Sequence, residues 1–88
     1  MPRFFFDIID QGIIEVDREG TDFPDLHAAV EDARVAARRM AVEALPNSPL
    51  ASVTIQVRDG ADTPVVTILV RASAPELIET SFHTRTAI

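Results

Sequence analysis

The chain predicts an α+β fold: a two-layer ββαββ sandwich in which an antiparallel four-stranded sheet packs on one helix. Three observations carry this. A single run is long enough for a multi-turn helix, the segments on both sides of it alternate apolar and polar residues, and turn residues divide each flank into a hairpin.

The helix spans Asp25 to Leu45, DLHAAVEDARVAARRMAVEAL. Leu26, Val30, Ala33, Ala37, Met40 and Ala44 recur at steps of four and three, one stripe of a 3.6-residue helix that needs a surface to cover. Asp25 is the N-cap candidate, Pro24 sets the approach, and Pro46-Asn47-Ser48-Pro49 ends the helix.

Upstream, Arg3 to Ile9 reads as a strand with Phe4, Phe6 and Ile8 on one face. Asp10-Gln11-Gly12 turns it, and Ile13 to Asp17 returns with Ile14 and Val16 expected beside Phe4 and Phe6. Thr21 to Pro24 runs extended into the helix, because a residue before proline avoids the helical region. Downstream, Ala51 to Arg58 alternates cleanly, with Val53, Ile55 and Val57 inward. Asp59-Gly60 opens a loop through Pro64, and Val65 to Arg71 forms the fourth strand. The domain thus takes residues 1–72. The remaining 73–88 read as a tail, in which Ser73-Ala74-Pro75-Glu76 has capping-box spacing for one short helical turn and the last eight residues fray.

At 88 residues this is one domain, which buries a little over about 60% of its unfolded surface. With no cysteine there is no disulfide framework, thiolate metal site or cysteine nucleophile. The opening MPRFFFDIID carries two aspartates and no small-residue cleavage site, so it is neither a signal peptide nor a membrane span. The expected compartment is the cytoplasm. All eight basic residues are arginine, and the net charge is −6. Residues 1 to 25 hold seven carboxylates against two arginines, a net of −5, while the helix is neutral. An acidic chain is repelled by phosphate backbones, so nucleic acid is not an expected partner.

A sheet covered on one face is ordinarily polar on the other. Here the outer face would carry Phe5, Ile9, Ile13, Val65 and Leu69 among Arg3, Asp7, Glu15, Thr54, Gln56 and Thr67. Either these are single exposed apolar residues partly covered by Leu77 and Ile78, or they form a protein–protein surface, most simply a two-fold homodimer. Arg34, Arg38 and Arg39 are the local basic cluster. They form either a solvated face paired with Glu31 and Glu43, or a contact for an acidic partner.

Asp17, Glu19, Asp22 and Asp25 crowd the second turn, yet they lack calcium-loop spacing and suit turn and capping duty. Asp7 and Asp10 flank the first turn without an implied cleft, and His27 and His83 have no second ligand at a metal spacing. No nucleophile elbow, phosphate loop or zincin spacing occurs, so the chain is expected to be non-enzymatic and to need no cofactor or metal.

Met1-Pro2-Arg3-Phe4-Phe5-Phe6-Asp7, the turn Asp17-Arg18-Glu19-Gly20-Thr21, and Phe23-Pro24-Asp25-Leu26 before an Ala/Arg/Glu helix resemble a family of short uncharacterised alphaproteobacterial proteins. Its members commonly begin M-P-R-Y-F-F and carry D-x-E-G-x-x-L-P-D-L before the helix; phenylalanine stands here at position 4 in place of tyrosine. The resemblance covers residues 1 to 72 and implies a domain of unknown function. The hairpin and the F-P-D-L approach are also similar to the HicB antitoxin fold, without its usual glycine after that segment. The expectation is a homodimeric interaction domain. The alternative is an acidic antitoxin-like regulator that binds a basic protein.

Overall fold

A computed structural model describes residues 1–10, 12–45, 51–60, 64–73 and 76–83. Strands β1 (Arg3–Asp10), β2 (Ile13–Glu15) and β3 (Thr21–Asp22) precede helix α1 (Leu26–Ala44), and β4 (Ala51–Arg58), β5 (Pro64–Ser73) and β6 (Glu76–His83) follow it. The fold is α+β, as expected, but the sheet has six antiparallel strands instead of four. Their order is β2-β1-β4-β5-β6, with β3 also pairing β1.

The tail accounts for one extra strand. Glu76, Leu77 and Ile78 do not start a helical turn; they begin β6, which pairs with β5 from Ser73↔Glu76 to Val66↔His83. Ladder pairing along an open strand edge outweighs a single capped turn, which is too short to bury an apolar face. Residues 84–88, the end of the segment expected to fray, and the Pro46 to Pro49 helix stop lie outside the described residues.

Helix α1 starts as the cap predicts: Asp25 has extended backbone, and its Oδ1 accepts from the Ala28 N–H at 2.9 Å. The fully buried row is Ala29, Ala33, Ala37 and Ala41, flanked by half-buried Leu26, Val30, Met40 and Ala44. Small residues along the centre line let the helix lie close on β4 and β5, where Val53, Ile55, Val57, Val66, Ile68 and Val70 are buried. Phe23 closes one end of this core, 5.8 Å from the Phe6 ring and 6.2 Å from that of Phe4.

The first hairpin differs from expectation. Asp10 pairs with Ile13, Ile9 with Ile14 and Ile8 with Glu15, so Ile14 shares the outer face with Ile9 while Ile13 and Glu15 lie on the helix side. Treating Asp10 as a turn residue shifts the register by one, and a one-residue slip exchanges the faces. Ile13 therefore leaves the predicted outer face, and Val16 lies beyond the end of β2, exposed. Along β5, Arg58↔Pro64 and Val57↔Val66 leave Val65 as the extra residue of a bulge. At 7% exposure it is buried and not part of an open surface.

No helix among the described residues is long and apolar enough to cross a membrane.

Candidate functional site

Successive strand pairings place Ile14, Ile9, Thr54, Leu69 and Thr80 in one row across the outer face, with Ile78 on the neighbouring row beside Arg71. Ile9 and Leu69 are half-buried, whereas Ile14 and Ile78 are 64% and 56% exposed. Leu69, Arg71, Ile78 and Thr80 line a depression of about 280 Å³. Among the described residues no second layer covers this face, since the only helix lies on the other.

One end of the face is built differently. Arg58 Nε and Nη2 donate to Asp7 Oδ2 and Oδ1 at 2.7 and 3.1 Å, and Nη2 also reaches the Asp17 carbonyl at 2.9 Å. Both side chains are mostly buried, and the fork geometry makes this a strong charge-assisted pair. The guanidinium lies 5.0 Å from the centre of the Phe5 ring. Phe5 is on the predicted face but half-buried beneath this cation.

Asp17 ties the arrangement to the β2–β3 segment. Its Oδ2 accepts from the Phe6 N–H at 3.1 Å, and its Oδ1 accepts from Glu19 and Gly20 at 3.1 and 3.0 Å. Its own N–H donates to Asp7 Oδ1 at 3.0 Å. Partial burial pushes the Asp17 carboxyl up, but the N–H groups of Gly20, Phe6 and Glu19, with the Arg58 charge, outweigh it and hold the carboxyl below its ordinary value. Gly20 is required here: its φ is +73°, and an added Cβ would sit 2.7 Å from Arg3 Cγ and 2.8 Å from Phe5 Cε2.

Three carboxylates of the turn cluster thus have a structural partner: Asp17 the backbone, Asp22 the Arg3 guanidinium at 3.2 Å, and Asp25 the helix N-terminus. Among the described residues no group of three or more His, Asp or Glu gathers to hold a metal. Asp7 and Asp10 fall on opposite faces of β1, the first against Gln56 and the second against Val53, so they cannot act together on one substrate.

The helix arginines divide. Arg34 bonds Glu31 at 2.6 Å as expected, and also Glu79 on β6 at 2.6 Å. The hydrogen bond and charge of Glu79, with those of Glu31, raise the Arg34 pKa. Arg38 lies 3.9 Å from Glu79, within Coulombic reach but too long for a hydrogen bond. Arg39 is exposed, and among the described residues it forms no ion pair with Glu43.

Of the residues marked by sequence, Phe5, Ile9 and Leu69 therefore share the outer face, while Ile13, Val65, Arg34, Arg38 and Arg39 do not. Ile14, expected on the helix side, and Ile78, expected only in a segment folded over the patch, instead belong to the face itself. The signal for Ile14 was the closure of Asp10 on Ile13 around Gly12 at φ +80°; Ile78 had none beyond its apolar character.

Residues 3–71 match the model of a family described as Domain of unknown function (DUF6894). No curated protein and no solved structure matches the chain.

Proposed function

The chain belongs to the DUF6894 family of domains of unknown function, and on that footing we propose a small non-enzymatic interaction domain that pairs with a second copy through its outer sheet face. The observation supporting this is the row Ile14–Ile9–Thr54–Leu69, apolar at three of its four positions, with neighbouring Ile78, uncovered among the described residues. A two-fold axis lying in the plane between two such faces brings the same patch of both copies together, so one patch serves both. A standard interface takes about 800 Å² per partner, roughly one seventh of the 5797 Å² accessible surface.

Light scattering over a tenfold concentration range is the test, with Ile14→Glu and Ile78→Glu as probes. Both side chains are exposed, so the variants should fold. The expected result is a dimer for the parent chain and a monomer for the double variant. A monomeric parent at every concentration, or a double variant that dimerises as well as the parent, removes the reading.

A further inference from the structure

The layer opposite that face is only half covered. Five strands about 4.8 Å apart span about 20 Å, twice the diameter of roughly 10 Å of a helix. Helix α1 lies over β4 and β5 and only grazes β1. On the β6 side Glu79 reaches Arg34 and closes the remaining width.

Among the described residues the width on the β1–β2 side stays open and is about one helix across. Its floor is half-buried Phe6 and Ile8 with Ile13, which is 70% exposed, and Met40 of α1 forms the facing wall. Two adjoining depressions of about 160 and 520 Å³ share Ile8 and Glu15. Glu15 edges the hairpin side, while Asp10 stands in the floor, between Ile13 and Val53 in its row. On α1, Asp32 and Glu43 stand in one row with Ala36 and Met40, at steps of four, four and three, with Arg39 in the next row. The groove is thus apolar along most of its base, with the Asp10 carboxylate at one end of it, and carries Glu15 on one rim and Asp32 and Glu43 on the other.

We propose that this groove receives a basic amphipathic helix of another protein, its apolar stripe on Ile8, Ile13 and Met40 and its Lys and Arg side chains between the two acidic rims. The width fits one helix, the floor fits an apolar stripe, and the net −5 of residues 1 to 25 favours a cationic guest. A second copy fits poorly, because its own helix carries as many carboxylates as arginines. The groove is on the face opposite the proposed dimer surface, so the two stand or fall separately.

The probe is a synthetic amphipathic peptide of about 18 residues, five helical turns, with a leucine stripe and lysines elsewhere. It is titrated into the full chain while backbone amide resonances are followed. Controls are a scrambled peptide of the same composition and a twin with glutamate for lysine. The expected result is saturable shifts at Ile8, Ile13, Glu15 and Met40 and an affinity at least about tenfold weaker for Ile13→Lys. Glu15→Lys and salt near 0.5 M, where screening falls to a few ångströms, should each weaken binding several-fold. Ile13 is exposed and Glu15 lies on the same short edge strand, so neither change should disturb the core. The proposal is overturned if the scrambled or acidic peptide binds equally well. Shifts confined to Ile9, Leu69 and Ile78, or no saturable binding, overturn it too. So do groove shifts that grow with protein concentration without peptide, since these mean that a second copy fills the groove.

Discussion

Asp17 stands where β1 changes partner. Ile8 to Asp10 pair with β2 and Arg3 and Phe4 with β3, but the two registers are offset by two residues, so the Phe6 N–H cannot meet a strand carbonyl in sequence. The Asp17 carboxylate takes it instead, together with two N–H groups of the following turn. Asp17→Asn keeps the shape but replaces one accepting oxygen by a donor, leaving a partly buried N–H without a partner at a cost of about 1–3 kcal/mol. Because folding lowers the Asp17 pKa, its contribution is fully present above the ordinary carboxylate value of 3.8 and is lost as pH falls through the lower folded value. Urea unfolding of parent and variant should therefore differ most near neutral pH, and the gap should narrow as pH drops below 3.8. A gap independent of pH would assign the role to shape alone. The sequence showed Asp17 as one acid among four; its special position follows from the offset, which no local pattern reveals.

At the scale of elements, α1 and β4 were legible because each signal was local and unopposed. Asp25 capped the helix behind an extended approach set by Pro24, and the valines and isoleucine of β4 alternated without a break. What the apolar stripe obscured was its centre, since alanine scores weakly as an apolar residue yet occupies the row nearest the sheet. Leucine at Ala37 would therefore press on fully buried β-strand side chains. Ala37→Leu should destabilise by about 1–3 kcal/mol despite leucine's good helix propensity, read as a lower urea midpoint. The same change at exposed Val35 should leave the midpoint nearly unmoved. β2 and β6 were misread for opposite reasons. In β2 the composition was right and the register wrong, whereas in β6 Ser73 to Glu76 offered a capping signal that the free edge of β5 overrode. Phe5, Ile9 and Leu69 were found because period-two alternation alone places them; Ile14 and Ile78 needed the pairing.

For the whole molecule, the family match ends at Arg71, inside β5, so β6 lies beyond the matched region. β6 is nonetheless what makes β5 an interior strand and anchors Glu79 to Arg34 on the helix. A chain ending after Ser73 should melt at lower temperature than the full chain and aggregate on heating, because β5 then presents a ten-residue edge of mostly buried Val, Ile and Leu. Thermal denaturation followed by light scattering checks both. Among the described residues the two edges of the sheet are unlike. On the β1 side the border is broken: two short strands flank a stretch in which a carboxylate occupies the backbone. On the β6 side it is one continuous strand of eight residues. Were two molecules to zip together along β6, the joined sheet would end on a broken border at both extremities. Growth by strand addition would then halt at two, whereas a sheet with two good edges invites an endless ribbon.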